Sequence, residues 1–304
     1  MPKFSFLLPT RGRPQKVRQF LQSLIQQTAN LDDIEVVLYL DEDDPESHDL
    51  SCEEIHLVKI IGPRMSMGAY NTACLQRSSG EIVILMNDDV LVRTQGWDRV
   101  IAGLTESTPD GIFLASVNDL QVGRTWGTFP VLSRKACKVM SKPYPDEYQG
   151  WFIDLHVFDV FKRVRHLGHD RIFNFPQVIF EHLHPDAGKA ELDETYQARS
   201  RYADDWVFVS LRDLRRATAY RLHAAILGKQ LPELPRHSGL PSRPKWVLRV
   251  LLLYACAFLL DITLSLRERI HLFFWMTSRY LRSVGYLPQK YPLRVADEFH
   301  CDTD

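Results

Sequence analysis

Short apolar runs alternate with helical patterns through the first ninety residues, and this alternation restricts the chain to few folds. Four runs predict buried strands, at residues 4–8, 34–40, 55–61 and 82–86. After the first run, Pro14 opens a segment in which apolar residues recur at i, i+3, i+4, i+7 and i+8. A second helix is predicted over 67–77, ended by Ser79 and Gly80. This order predicts an α/β fold with a mostly parallel sheet flanked by helices.

Polar residues directly follow three of the four predicted strands. They are Thr10 with Arg11, Asp41, and Asp88 with Asp89. Since the carboxyl ends of parallel strands meet at one edge of a sheet, where ligands bind, we expect these side chains to share a site.

Charge and cysteine content exclude several classes of partner. The 304 residues carry a net charge of −1, so no global field attracts nucleic acid, and we expect no nucleic-acid partner. The five cysteines are scattered, and no pair has metal-ligand spacing. No signal peptide precedes the first strand. We therefore expect a reducing, cytoplasmic location.

Paired carboxylates follow the fourth predicted strand. Asp88 and Asp89 offer oxygen ligands to a hard divalent cation, Mg²⁺ or Mn²⁺. Such an ion bridges the phosphates of a nucleotide diphosphate and neutralises charge on the leaving group. The alternative is an Asx turn, or a cap on the helix near Trp97.

Three segments carry a family resemblance: FSFLLPTR at 4–11, MGAYN at 67–71 and SGEIVILMNDD at 79–89. Together they resemble the GT-A glycosyltransferases, specifically the mostly inverting enzymes of family 2, over about residues 3–210. The resemblance implies a Rossmann-like GT-A fold. It also implies a nucleoside-diphosphate sugar donor, UDP-linked by our interpretation, and transfer with inversion to an acceptor hydroxyl.

The resemblance also implies a donor site. The residues that it assigns to donor binding are Thr10, Arg11, Asp41, Arg64 and Asp88. Asp43 competes with Asp41 for the contact to the base or ribose, because Asp-Glu-Asp-Asp replaces the family's Asp-Asp-Gly-Ser turn. Asp89 is implied to be the main metal ligand. For Thr10 and Arg64, a turn residue and a surface cation are the alternatives.

An acceptor-side base is implied as well. Asp154 follows an aromatic-rich segment and precedes a predicted helix, which is the position of the family's catalytic acid, although Ile153 replaces the frequent Glu before it. Asp159 is the rival, at a helical position predicted to face solvent or to pair with Arg163. A carboxylate that stabilises the helix macrodipole is the alternative role for Asp154. Trp151, close to Asp154, is our candidate for acceptor binding.

Two histidines, His182 and His184, resemble the late histidine that completes the metal site in many GT-A enzymes. Two residues apart in an extended segment, they share one side. We favour His184, which abuts the loop at Pro185, and roles as ordinary loop residues are the alternative.

The domain organisation follows from composition. We expect a glycosyltransferase domain at 1–228, divided into a nucleotide-binding half at 1–122 and an acceptor-side half at 123–228. Prolines mark 229–245 as a linker, and 246–304 as a basic apolar helical region.

The helical region contains an uninterrupted apolar run at 250–260, shorter than the roughly 20 residues that a membrane span needs. Between Arg243 and Arg294, nine Lys or Arg accompany only Asp261 and Glu268. We expect a helical hairpin on an anionic membrane surface, peripheral at the inner face. Packing on the main domain or in a homo-oligomer, and a true span, are the alternatives.

The sequence as a whole predicts a metal-dependent glycosyltransferase acting on a saccharide or glycolipid acceptor, in surface polysaccharide or glycolipid assembly. A sugar-nucleotide nucleotidyltransferase is one alternative. A non-catalytic, membrane-associated nucleotide- or sugar-binding module is the other.

Overall fold

The computed structural model describes residues 2–121, 127–183, 201–235 and 239–288. Eight strands form one sheet: β1 Phe4–Thr10, β2 Ile34–Asp41, β3 His56–Gly62, β4 Ile82–Leu85, β5 Val90–Val92, β6 Leu114–Asn118, β7 Val131–Ser133 and β8 Ile172–His182. The helices before residue 230 are α1 Pro14–Gln27, α2 Pro45–His48, α3 Met67–Arg77, α4 Trp97–Ser107, α5 Arg134–Met140, α6 Ile153–His166, α7 Asp205–Ser210 and α8 Arg212–Ile226. A 3₁₀ turn covers Leu31–Asp33. The helical region adds α9 Val247–Tyr254, a π turn Ala255–Leu259 and α10 Leu266–Ser283.

The sheet combines a parallel part with a mixed part. Its strand order is β3-β2-β1-β4-β7-β6-β8-β5. The first four strands are parallel, as predicted for the first ninety residues. Beyond them β7 runs antiparallel to β4 and β6, β8 is parallel to β6, and β5 is antiparallel to β8. The predicted α/β fold, with a sheet flanked by helices and a helical C-terminal part, is confirmed.

The two faces of the sheet bury separate cores, because successive strand residues point to opposite faces. Phe4 and Phe6 of β1 pack in one core with Phe20 of α1 and Trp97 of α4. Leu7 points into the other core, where α3, α5, α6 and α8 pack.

The C-terminal helices extend this second core. Val250, Tyr254, Leu272, Met276 and Tyr280 belong to the same buried cluster as Leu7. The buried side chains of the helical region therefore pack on the main domain, which is one of the alternatives considered from the sequence. The predicted linker contains neither helix nor strand in its described residues, 229–235 and 239–245. Within the described ranges, no helix is long and apolar enough to cross a membrane.

Candidate active site

The register of the parallel strands brings the predicted donor residues together. β1 pairs with β4 so that Leu7 lies opposite Leu85, and continuing this register places Thr10 opposite Asp88. Thr10 Oγ1 donates to Asp88 Oδ2 at 2.8 Å, and Arg13 Nη1 donates to Asp88 Oδ1 at 3.0 Å. Burial raises the pKa of Asp88, and the neighbouring Asp89 adds to the rise. Asp88 is therefore held in place by two partners on the β1–α1 segment.

Asp41 is the last residue of β2. Its carboxylate, 2% exposed, accepts from Arg11 Nη1 at 2.7 Å and from the Tyr70 hydroxyl at 2.5 Å. Arg11 also donates to Asp43, with Nη2 to Oδ2 at 2.9 Å. Hydrogen bonding from Arg11, with a weaker contribution from exposed Arg64, lowers the pKa of Asp43. The two acidic candidates for the base or ribose contact therefore share one arginine.

A second strand pairing brings Asp89 to a histidine. β5 pairs antiparallel with β8, with Val90 opposite His182. Asp89 precedes Val90, and Leu183 N donates to Asp89 O at 2.8 Å. Asp89 Oδ1 lies 3.1 Å from His182 Nε2, and both side chains are buried.

This pair fits a divalent cation. Octahedral ligands about 2.1 Å from one ion lie roughly 3 Å from each other, so Asp89 Oδ1 and His182 Nε2 are spaced to share it. In the described residues no group of three His, Cys, Asp or Glu side chains could hold a metal. Mg²⁺-type sites commonly combine one or two protein ligands with substrate phosphates and water, which accommodates a donor set of this size. The favoured ligand His184 lies outside the described residues.

Asp154 approaches the same region from the start of α6. Burial raises its pKa to about 6, repulsion from Asp119 contributes, and the His182 ring opposes the rise. Asp154 therefore lies within electrostatic range of Asp119 and His182. A carboxylate with this pKa is ionised at neutral pH and basic enough to accept a proton from a hydroxyl.

The backbone before Asp154 is held by Asp204, a residue that is 0% exposed. One Asp204 carboxylate accepts the backbone N–H groups of Gln149, Gly150 and Trp151, with Oδ2 at 2.9 Å from Gly150 N and 2.7 Å from Trp151 N. Phe152 then adopts φ of 66°, in the left-handed region that a bulky side chain rarely occupies. Such a conformation persists only where its surroundings enforce it.

Side chains of α7 and α10 surround Phe152. Its ring packs at 5.2 Å from the ring of Phe208 and 5.4 Å from that of Trp275. The guanidinium of Arg279 lies 5.0 Å from the Phe152 ring centroid and also binds Asp205, at 2.7 Å. The turn that presents Asp154 is therefore built partly by α7 and α10.

The other acceptor-side candidates differ in exposure. Trp151 is half-buried, and within the described ranges its indole Nε1 has no hydrogen-bond partner. Asp159, the rival base, is buried and forms 2.7 Å ion pairs with Arg163 and Arg215. The solvent-facing orientation considered for Asp159 is wrong, and the pairing with Arg163 is observed.

Sequence reasoning missed several residues of this region. Arg13 lies three residues beyond β1, outside the strand-end positions that the pattern indicates. Asp119 follows an apolar run, so the strand-end argument could have found it. Asp204 gives no local signal, because its three backbone partners lie more than fifty residues earlier.

The chain is similar to several solved structures of other proteins. S. aureus TarS 1–349 in complex with UDP-GlcNAc is 14% identical and has a TM-score of 0.54, with 92% of each chain covered. A Pyrobaculum calidifontis mannosyltransferase with GDP-Man and Mn²⁺ is 14% identical at a TM-score of 0.46, covering 94% of this chain and 88% of that one. Glucosyl-3-phosphoglycerate synthase of Mycobacterium tuberculosis, with Mn²⁺, UDP-glucose and phosphoglyceric acid, is 14% identical at 0.43, covering 75% and 81%. The first of these supports a common fold.

Sequence comparison gives the family. No curated protein matches the chain. The family model described as glycosyl transferase family 2 matches residues 5–159. With about half of its length matched by that model, the chain belongs to glycosyl transferase family 2 and is a glycosyltransferase.

Proposed function

We propose that the protein transfers a sugar from a UDP-linked donor to an acceptor hydroxyl with inversion, in a reaction that needs Mn²⁺ or Mg²⁺. The observation that carries this proposal is the meeting of Asp89 and His182 at 3.1 Å beside the raised-pKa carboxylate of Asp154. Asp89 and His182 suit a metal-bound diphosphate, and Asp154 suits removal of the proton from the acceptor hydroxyl.

The donor is held by the ends of the parallel strands. Thr10 and Arg11 lie beside the base, Asp41 bonds the base or ribose, and Asp88 bonds the ribose or the metal. Arg64, exposed at the same edge, reaches the base or a phosphate. The fold neighbour bound to UDP-GlcNAc makes UDP the first nucleotide to test.

The cation is held by Asp89 and His182, with His184 as the further candidate. When bound, it neutralises the charge that develops on the departing diphosphate. Burial of Asp89 and His182 strengthens their attraction for a cation, because water screens them little.

Asp154 acts as the base. The acceptor oxygen attacks the anomeric carbon, the bond from that carbon to the diphosphate oxygen breaks, and the hydroxyl proton passes to Asp154. A single displacement from the opposite face inverts the anomeric centre. Trp151, three residues before Asp154, is the proposed contact with the acceptor sugar.

The acceptor is proposed to be a saccharide or glycolipid, with the enzyme peripheral at the inner face of a membrane in surface polysaccharide or glycolipid assembly. The exposed apolar and basic side chains of the helical region support this location. Contact with a second copy through that region is the competing arrangement.

The test is a transfer assay with UDP- and GDP-sugars, Mn²⁺ and a panel of saccharide and glycolipid acceptors, read by proton NMR of the anomeric signal. An inverted product whose formation stops on metal chelation supports the proposal. Retention of configuration, or undiminished transfer after chelation, contradicts it. Pyrophosphate release from a nucleoside triphosphate and a sugar phosphate would instead identify a nucleotidyltransferase. Donor binding without turnover on any acceptor would favour a binding module.

A further inference from the structure

We infer that the outer face of α9 and α10 is a docking surface for an anionic lipid membrane. Only its link to a glycolipid acceptor rests on the proposed function. The surface itself is defined by exposure, charge and helix length. We use "outer face" for the exposed side chains of residues 245–276.

The outer face is apolar along both helices and at the turn between them. Side chains between 59% and 75% exposed include Leu248 and Leu252 from α9, Leu260 and Ile262 from the turn, and Leu266 and Phe274 from α10. Leu248 and Leu252 are four residues apart, and Leu266 and Phe274 are eight apart, so each pair forms a stripe on its helix. Each helix therefore has two apolar sides. One packs on the core of the protein, and no protein in the described ranges covers the other.

Charge is segregated between the inner and outer faces. The two acidic residues within 245–276 turn toward α6: Asp261 pairs with Arg163 at 2.7 Å, and Glu268 lies 3.7 Å from Lys162. The exposed charged side chains at 245–276 are Lys245, Arg249 and Arg267, all of them cationic. Because both acids face α6, the exposed charge of residues 245–276 is positive.

This combination favours lipid over a second copy of the chain. Two outer faces in contact would bring the exposed Lys245 and Arg249 of both copies together, and residues 245–276 expose no acid. An anionic bilayer supplies both apolar chains and negative head groups. Neither helix is both long and apolar enough to span, so the helices would lie in the plane of the interface. Trp246, 79% exposed at the start of α9, is of the type enriched at that depth.

Vesicle flotation with the full chain tests the inference, without donor or metal. We expect the protein to float with phosphatidylcholine vesicles that contain about 30% phosphatidylglycerol, and to bind phosphatidylcholine alone at least about tenfold more weakly. Raising the salt to about 0.5 M should weaken binding, because it screens the exposed cationic side chains.

A matched pair of double variants locates the surface. Leu252→Ser with Phe274→Ser removes two outer-face side chains and should lower anionic vesicle binding by more than about tenfold. Val100→Ser with Tyr220→Ser removes exposed apolar side chains elsewhere, and should leave binding unchanged. Both variants alter exposed positions, and thermal unfolding checks that each is folded. As a second probe, Arg249→Glu should weaken binding to anionic vesicles only.

Three results would overturn the inference: no vesicle binding by the wild type, equal binding to both vesicle types, or equal loss in the two double variants. A wild-type dimer that Leu252→Ser with Phe274→Ser makes monomeric, without vesicle binding, would assign the surface to a second copy. Because vesicle binding is measured without substrate, its failure leaves sugar transfer untouched. Conversely, vesicle binding without transfer would contradict only the proposed function.

Discussion

The two sides of the candidate site position their carboxylates by different means. On the donor side, Asp41 ends β2 and Asp88 follows β4. Their partners Arg11 and Thr10 come from the end of β1, which lies between those two strands. Sheet register alone brings these groups together.

On the acceptor side, Asp154 begins a helix, and its placement depends on residues far away in the sequence. Asp204 holds the preceding backbone, and α10 packs on Phe152 through Trp275. The remainder of α6 is tied down by buried ion pairs, including Arg163 with Asp261 at a separation of 98 residues.

The helical region therefore helps to hold the turn that presents the proposed base. A site built at strand ends depends on the hydrophobic pattern of the sheet. A site built at the start of a helix needs separate anchors, and here α7, α8 and α10 supply them. Variants on the two sides should therefore fail differently.

The largest effect is expected at the base itself. Asp154→Asn should lower kcat by roughly 10²–10⁴-fold, because the acceptor hydroxyl then loses its proton without a positioned base. Donor affinity, measured by calorimetry, should stay at the wild-type value. Asp170→Asn, at an exposed carboxylate, is the matched control. Wild-type kcat in Asp154→Asn would assign the carboxylate to helix stabilisation alone.

The free energy of unfolding should next distinguish buried carboxylates of the parallel sheet from those of the acceptor side. Asp159→Asn leaves Arg163 and Arg215 buried without their shared partner, and should cost about 3–5 kcal/mol in free energy of unfolding. Glu35→Gln removes a buried carboxylate at the amino end of the parallel strands, where it accepts from Ser5 and the Ser79 backbone, and should cost only about 1–3 kcal/mol. Urea unfolding measures both. Equal costs would mean that ion pairs play no special part on the acceptor side.

The same network predicts acid sensitivity of the fold. Burial opposes ionisation of Asp159, but its two arginine partners outweigh burial and hold its pKa below the ordinary value. The stabilisation is therefore present above about pH 4 and is lost as the pH falls further. In Asp159→Asn this part of the pH dependence should be missing.

Activity should respond to pH at a higher value. Asp154 accepts a proton only when ionised, and its pKa is raised to about 6. The value of kcat/KM should therefore fall about tenfold for each pH unit below 6, while the fold is still intact. The residual activity of Asp154→Asn should lack this slope. A wild-type profile that is flat between about pH 5 and 8 would contradict the assignment.

The smallest effect is expected at the anchor of the turn. Asp204→Asn weakens the hold on three backbone N–H groups and should lower kcat about fivefold, with donor affinity unchanged, because Asp154 is displaced slightly. Asp98→Asn is the matched control at the amino edge of the sheet, since Asp98 is buried and accepts the N–H groups of Ala29 and Asn30. Both variants should lose stability, but only Asp204→Asn should lose kcat. Equal kcat in the two variants would reduce Asp204 to a structural role.

The sequence predicted what depends on local pattern. The helix predicted over 67–77 has those bounds in the structure, because Ser66 caps its start by accepting from Ala69 N and Ser78 departs from helical geometry at its end. The prediction that Thr10, Asp41 and Asp88 lie at one edge of the sheet followed from their positions at the ends of predicted strands. These features require only the period of apolar residues and a few turn signals.

Contacts between distant segments could not be predicted in this way. Nothing near Phe152 indicates a positive φ, since that conformation is imposed by Phe208, Trp275 and Asp204. The sequence pattern favoured His184 over His182. Pairing of β5 with β8 brings His182 to Asp89, and that pairing joins segments ninety residues apart.

The central claim is that a metal ion at Asp89 binds the donor diphosphate. Its most direct test is calorimetric titration of UDP, with GDP in parallel, into the wild type and Asp89→Ala, with Mn²⁺ present and with the metal chelated. The account predicts micromolar binding of one nucleotide to the wild type with Mn²⁺, and its loss in either the variant or the chelated sample. Binding that survives both changes, or no binding of either nucleotide by the folded wild type, would contradict it.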